Sequence, residues 1–435
     1  DASGVAGGMF LDDIEILVDA AQVAEWTYIA YFDGDNNLES CMIADLNELE
    51  FVGSTTHVNF FLMLDRYDGY NHGDPEYHAE DDDISNGNWD GTRTYYITKD
   101  DDGGLIKSFQ LGPELDPALF ALDAEHNMGV PSTLTAYADW VMGNYPANKY
   151  VVVLSDHGGG IDGVCWDEKD GGDNLAFQEI ETGMSHISNS GSNPVEVLQL
   201  SVCLCQMTEM AYELRDDTTK YRYADYIVAS EEVSWGTTVP NGNFENVAQY
   251  LVDNWNTVTG RQLSIKMVDE YYIAYNFIPS ITMSSIDMAY IGDPGSGHLI
   301  GPLDDLAFYL TEALNDPVWK AQYKVSITDA LIYTDHYADF TNIDLYQFAE
   351  WLENTAHLPP TGPYNIDISD AADGVMTCLS NTVVHNVCTA PHHDSYGLAI
   401  YFADTSMQYS TVYDPLDLPN DTYWNYNLFN AYWIA

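Results

Sequence analysis

Two short stretches of the chain hold the residue types that nucleophilic attack on a carbonyl requires. Residues 149–160 read KYVVVLSDHGGG and residues 195–206 read VEVLQLSVCLCQ. Each is a β-prone, largely apolar run that ends in a reactive side chain, His157 in the first and Cys203 in the second. An imidazole beside a thiol favours the thiolate, which attacks a carbonyl carbon, and the same ring later returns the proton to the leaving amine. Gly158, Gly159 and Gly160 let the backbone turn sharply and leave amide N–H groups uncovered. The amides of Gly158 and Cys203 are therefore candidates to hold an oxyanion. Each residue also has a plainer reading: a histidine after a strand is an ordinary loop residue, and a cysteine at a strand end is a small buried hydrophobe. Cys165 and Cys205 are rival nucleophiles, the first in the loop beyond the glycines, the second inside the start of a helix.

Both stretches need a scaffold that brings their ends together. Strand patterns fall at 25–40 (ending in a polar turn), 57–69, 92–98, 149–154, 195–202, 224–230, 280–290 and 395–404. Helical spacing falls at 38–52, 131–145 (with Ser132 as the expected cap), 175–188, 205–216, through 245–280 and over most of 300–360. Alternating strands and helices predict a parallel sheet with helices on both faces. Right-handed crossovers then align the strand C-termini along one edge, where sites form in such sheets. One helix separates the strands that carry His157 and Cys203, which predicts sheet neighbours about 4.8 Å apart. The expected division is a leader at 1–24, with an amphipathic helix at 9–24, followed by one large domain at 25–435. Its core spans 25–240, 280–290 and 395–404, and a helical elaboration covers about 300–360.

The composition narrows the partners. The 435 residues carry 13 Lys and Arg against 69 Asp and Glu, a net charge of −56, yet 46% are hydrophobic and 13% aromatic, enough for a folded core. So acidic a surface excludes nucleic acid and anionic membranes as partners. It suits solubility at high salt, where charges are screened within about 3 Å at 1 M, or the binding of divalent cations, or attraction of basic substrates. No run reaches about 18 apolar residues, so no membrane span is expected. The first residue is Asp rather than Met, as in a trimmed, exported protein. The six cysteines are Cys41, Cys165, Cys203, Cys205, Cys378 and Cys388. They form no disulfide framework, although Cys378 and Cys388 could close one loop or remain two thiols. The absence of C-x-x-C and H-E-x-x-H leaves zinc unsupported. The HGGG run also occurs in lipase-type hydrolases, but the G-x-S-x-G elbow they need is missing.

Six ordered blocks, EWTYIAYFDGDNNLE, KYVVVLSDHGGGIDGVCWDE, LQLSVCLCQMTEMAYELRD, ADYIVASEE, NIDLYQFAEWL and GLAIYFAD, run from about 25 to 404. Together they resemble the clostripain-like cysteine peptidases, relatives of caspases, legumains and gingipains. The resemblance implies an α/β fold, a caspase-like αβα sandwich with a mostly parallel central sheet, helices on both faces and a helical C-terminal elaboration. It puts the catalytic histidine at His157 and the nucleophile at Cys203, acting on peptide or protein substrates outside the cell or at its surface. It implies cleavage after Arg or Lys in an acid-lined pocket. The acid usually two residues before the cysteine is Ser201 here, which leaves Glu231 and Glu232 to supply charge. Self-cleavage between the two catalytic segments is also implied, and Lys169 is the single Lys or Arg there. The chemistry requires no cofactor, but structural calcium is a further implication. DGDNN (33–37) and EDDDISNGNWD (80–90) offer oxygen ligands; neither fits an EF-hand, and turn-forming Asx residues explain both as well. The alternative is a catalytically inactive caspase-like surface or scaffold protein, which Ser201 would suit and the intact His157 and Cys203 argue against. Oligomeric state is not legible.

Overall fold

The computed structural model describes residues 23–67, 83–87, 89–121, 124–216 and 218–435. The helix expected at 9–24 and most of the acidic loop at 70–91 lie outside the described residues. The strands are β1 (Ala24–Gly34), β2 (Val58–Arg66), β3 (Arg93–Tyr96), β4 (Phe109–Gln110), β5 (Ala147–Ser155), β6 (Val164–Asp167), β7 (Asp173–Leu175), β8 (Val195–Ser201), β9 (Ala224–Ala229), β10 (Thr282–Asp287), β11 (Asn342–Asp344), β12 (Val383–Cys388) and β13 (Ala399–Tyr401). Nine of them form one sheet in the order β12-β10-β9-β8-β5-β1-β2-β3-β4. The five central strands, β9 to β2 in that order, are parallel to one another. Antiparallel strands close both sides.

The central strands are buried on both faces, which is why they read as continuous apolar runs rather than alternating ones. Their side chains feed two separate cores. Tyr28, Ala30, Phe32, Val151 and Val153 pack on one face. The helices there are α1 (Glu39–Glu50), α5 (Asn243–Asp253) and α6 (Gly260–Tyr275). Ile29, Tyr31, Val152, Leu154, Leu198 and Leu200 pack on the other. That face is covered by α2 (Pro131–Asn144), α3 (Phe177–Ile187), α4 (Thr208–Glu213) and the later helices α7 (Ile300–Asn315), α8 (Lys320–Tyr333), α9 (Leu345–Glu353), α10 (Asn365–Thr382), α11 (Asp417–Asp421) and α12 (Tyr426–Ile434). The result is the αβα layering implied by the sequence.

Some elements differ from the reading above. Ser132 does not cap α2: the N-cap is Val130, and Pro131 takes the first helical position, where its fixed φ and missing N–H cost nothing. The strand at 395–404 is short and pairs with β11, outside the main sheet. Strand β12 and helix α10 were not anticipated, because VVHNVC is half-buried at a sheet edge and α10 is polar over much of its length. All six cysteines are free thiols. No helix among the described residues is long and apolar enough to cross a membrane.

Chain order defines the functional edge. From β1 the chain crosses to β2 on one side, and from β5 to β8 and β9 on the other. The topological switch point therefore lies between β1 and β5, and the loops leaving β1, β5 and β8 open into the crevice beyond their C-termini.

Candidate active site

His157 and Cys203 emerge at the same depth on this edge. Ser155 and Ser201 are register partners on neighbouring parallel strands, and each candidate lies two residues beyond its serine. Gly158 closes the space between them. A Cβ built on Gly158 would lie 2.1 Å from the Cys203 carbonyl oxygen and 2.7 Å from its amide nitrogen. Only glycine permits that approach. The Gly158 amide works to lower the Cys203 thiol. The chain leaves Cys203 through Leu204 at φ +62°, a left-handed conformation uncommon for a residue with a side chain.

The loop after β9 supplies the rest of the sulfur's environment. The Ser234 amide donates to Cys203 Sγ at 3.3 Å, and the thiol donates to the Ser234 carbonyl at 3.6 Å. Burial pushes the thiol up from its ordinary value, with the Ser234 and Gly158 amides working against that rise. Burial lowers His157. Both shifts favour a neutral thiol and a neutral imidazole at rest. Cys165 and Cys205, the rival nucleophiles, are fully buried in the core, and burial pushes both thiols far up. A thiol in that state is a poor nucleophile.

The sequence reading missed one side chain at the centre of the site. His157 Nε2 lies 2.7 Å from Asn37 Oδ1. An amide oxygen only accepts, so Nε2 carries the hydrogen and Nδ1 keeps the lone pair. Asn37 sits in the turn after β1, within the DGDNN run. Its neighbour Asn36 donates to Asp156 Oδ1 at 2.7 Å and to the Trp166 carbonyl at 3.2 Å, which fixes the turn to the end of β5. Asn37, His157, Gly158 and Trp166 line a cleft of about 590 Å³, with Glu168 and Gly172 at its rim.

The other predicted site residues lie around this centre. Ser201 ends β8 and is partly exposed. Glu231 and Glu232 follow β9 and are buried. Glu231 accepts from the hydroxyls of Tyr337 at 2.8 Å and of Ser395. Burial, then the neighbouring Asp344, push it up to about 8. Glu232 pairs with His392 Nε2 at 2.9 Å and accepts the amides of Val233 and Ala338. Both carboxylates are thus held by partners within the chain. Lys169 lies in the β6–β7 turn; its ammonium pairs with Asp90 and Glu125 at 3.1 Å each, and its amide donates to Asp35 Oδ2 at 2.7 Å.

Late segments brace the turn that carries Cys203. Met207 bridges to Ala399 of β13. The Thr208 hydroxyl donates to the Ala399 carbonyl at 2.9 Å, and the Tyr401 amide donates to Glu209 at 3.0 Å. The GLAIYFAD block thus acts as a clamp on the turn that carries Cys203 rather than as a member of the main sheet.

Comparison with known proteins agrees with this architecture. The model of the Clostripain family, peptidase C11, matches residues 30–428. Clostripain from Hathewaya histolytica is 24% identical over 441 residues, covering 91% of this chain and 78% of that protein. Two solved structures share the fold. One is a secreted C11 cysteine protease from Bacteroides thetaiotaomicron in complex with an irreversible peptide inhibitor (TM-score 0.58, 15% identity, 91% of this chain and 98% of that one). The other is an inactive zymogen C11 protease from Parabacteroides distasonis (TM-score 0.57, 16% identity, 92% and 99%). With its ordered blocks, its αβα sheet and a family match over nearly its whole length, the chain belongs to the Clostripain family of cysteine endopeptidases.

Proposed function

We propose that Cys203 is the nucleophile and His157 the general base and acid of peptide-bond hydrolysis, with Asn37 positioning the imidazole. The observation that carries this reading is the convergence at one switch point of the β1 turn, the β5 tip and the β8 tip, which bear Asn37, His157 and Cys203. His157 Nδ1 removes the thiol proton as sulfur attacks the scissile carbonyl, and the imidazolium then protonates the leaving amine. Water hydrolyses the thioester with the same ring as base. The Gly158 and Cys203 amides stabilise the oxyanion, joined by the Ser234 amide. The Asn37 bond keeps Nε2 protonated, so the basic nitrogen is always the same one.

The preferred residue before the cut bond is Arg or Lys, and cleavage after Lys169 activates the chain. The first is supported by the family resemblance and the large negative charge, and is opposed by Ser201 and by the internal partners of Glu231 and Glu232. A substrate cation would reach Glu232 only by displacing His392. The second is supported by the position of the β6–β7 turn, whose Glu168 and Gly172 border the cleft beside His157. Secretion is supported by the secreted relative and fits the acidic surface.

The test is labelling with a thiol-reactive peptidyl probe, alongside turnover of fluorogenic peptides varied at the residue before the cut. Cys203→Ala and His157→Ala are expected to abolish turnover, and Cys203→Ala to abolish labelling as well. Labelling that persists in Cys203→Ala would reject the nucleophile. Turnover confined to acidic or apolar peptides would reject the basic preference alone. For Asn37→Ala the expected signature is a fall in kcat of about 10-fold or more with KM little changed, together with a shifted pH–rate profile. A purely structural role would leave that profile in place.

A further inference from the structure

The thiol of Cys203 has two different neighbours. In the sheet, β8 lies between β9 and β5. The loop after β9 meets the sulfur on one side, through the Ser234 amide and carbonyl. His157, at the tip of β5, stands on the other. The subsite inferred below rests on the catalytic assignment of Cys203 and His157, which gives the two sides different work. Attack by sulfur forms the thioester and breaks the bond from the scissile carbon to its nitrogen, and the nitrogen departs with the proton that the imidazolium returns. That nitrogen must therefore face His157. The part of the substrate that follows the cut bond then runs over the tips of β5 and β1, away from the loop after β9.

The cleft of about 590 Å³ lies on that side, and Trp166 is its one large apolar side chain. A Cβ built on Gly159 would lie 2.9 Å from Trp166 Cη2, so the indole packs directly against the second residue after His157. The backbone of Trp166 is fixed from two directions. Its amide donates to Asp156 Oδ2 at 2.6 Å, and its carbonyl accepts from Asn36 Nδ2 at 3.2 Å. Asp156 is itself buried, and its other oxygen holds Asn36. Neither bond involves the indole. The chain neighbours Cys165 and Asp167 are fully buried, yet Trp166 is partly exposed and belongs to neither hydrophobic core. A rigidly mounted tryptophan that stabilises no core, set beside the imidazole in a cleft, is a surface for a ligand.

We propose that Trp166 forms the subsite for the side chain that follows the cut bond, with Glu168 at its mouth, and that this subsite takes a large flat side chain, arginine first. An indole gains most from a long or planar group laid against it. A guanidinium stacks on aromatic rings, on indole best of all. The carboxylate of Glu168 is exposed at the rim. In a chain of net charge −56 it favours a cation and repels an acid there. A small residue leaves the cleft unfilled. This selection is separate from the choice of residue before the cut bond, which is made across the thiol, toward the loop after β9.

The test compares substrates that share the residues before the cut bond and differ after it. Internally quenched peptides carry Arg, Phe, Ala or Asp directly after the cut. A peptide methyl ester, whose leaving group is methanol, places nothing in the cleft. Wild type is expected to cleave the Arg peptide with kcat/KM at least about tenfold above the Ala and Asp peptides, with Phe between them. Trp166→Ala should lower the ratio of kcat/KM on the Arg peptide to that on the ester by about tenfold, and Trp166→Phe should recover most of it. Glu168→Gln should narrow the gap between the Arg and Phe peptides. A wild type indifferent to the residue after the cut, or a ratio unchanged in Trp166→Ala, would overturn the proposal. The first comparison needs no variant, so it decides the matter if Trp166→Ala fails to fold. A gap between Arg and Phe that persists in Glu168→Gln would overturn the role of Glu168 alone. Ester turnover by Cys203→Ala tests the catalytic assignment by itself, so the two readings fail separately.

Discussion

Two nests of buried acids flank the site, and the same residue type behaves differently in each. Beyond β9, Glu231 and Glu232 are answered by Tyr337, Ser395 and His392, and Asp344 by the Gln347 and Tyr396 amides. Every one of these partners but the amides comes from the chain after residue 330. Beyond β1, Asp33, Asp35 and Asp65 keep buried oxygens that no donor among the described residues answers. The first nest gives each of its carboxylates a donor, leaves only His392 Nδ1 without a hydrogen bond among the described residues, and joins the sheet to the late helices. The second has donors for only half its oxygens. Burial of a carboxylate alone therefore does not say how its charge is compensated; the count of donors does.

The largest effect should come from breaking the complete nest. His392 is buried between Glu232 and Asp335. His392→Ala leaves the Glu232 carboxylate buried with only the Val233 and Ala338 amides. The expected loss is about 3–5 kcal/mol of unfolding free energy, measured by urea denaturation. A loss under about 1 kcal/mol would mean that water reaches the pair and that the nest does not hold the late helices to the sheet.

The same nest should give stability a pH dependence. Burial works against the charge on His392, but Asp335 and Glu232 outweigh it and raise the ring from 6.5 to about 9. The folded state then holds the proton more tightly than the unfolded chain. This stabilisation is complete below pH 6.5 and lost as pH rises through about 9. Glu231, raised to about 8 by burial and Asp344, acts in the same direction between its ordinary 4.5 and about 8. Wild type should therefore lose stability between pH 6.5 and 9, by up to about 1.4 kcal/mol per unit from each group. His392→Gln should show a flatter profile over that window. Equal slopes would assign the loss to the general charge of the chain.

The incomplete nest should respond with the opposite sign. Asp65→Asn keeps an oxygen for the Arg66 amide and removes an acid that burial, then Glu125 and Asp33, push well above its ordinary value. At neutral pH it is expected to raise stability by about 1 kcal/mol, because the acid must take up a proton on folding and the amide need not. Destabilisation of similar size would show that the acids beyond β1 are already compensated, and the contrast between the nests would fall.

The contrast also shows what the sequence could and could not reveal. Strand runs such as YVVVLS and VEVLQLS, and the reactive residues that follow them, were legible because central parallel strands are buried on both faces and announce themselves as unbroken apolar stretches. The placement of His157 beside Cys203 followed from chain order alone. Asn37 was not legible, because DGDNN is also what a turn looks like. Its role depends on a contact across 120 positions of sequence. The fates of Glu231 and Glu232 were hidden for the same reason: their partners Tyr337, His392 and Ser395 lie more than 100 residues away. Ser132 was misread because a proline one residue earlier outranked it as a helix start. The acids of the β1 nest were visible one by one, but their convergence with Asp167 and Glu125 needed the sheet register and the β6–β7 turn.

Lys169 joins the two themes and gives the smallest expected effect. Its ammonium bridges Asp90 and Glu125, which are 54% and 35% exposed. Ion pairs that solvent reaches this freely contribute about 0–1 kcal/mol. The turn itself is held by backbone bonds that a substitution leaves intact, including those from the Glu168 and Lys169 amides to Asp35. Lys169→Gln should therefore shift unfolding by less than about 1 kcal/mol. If the chain cuts itself after Lys169, the same variant stays a single band during incubation while wild type yields two fragments. Equal fragmentation of both would move the cut elsewhere and leave Lys169 as a rim cation of the acid nest. A stability loss well above 1 kcal/mol would instead show that this one ammonium compensates the buried acids beneath it.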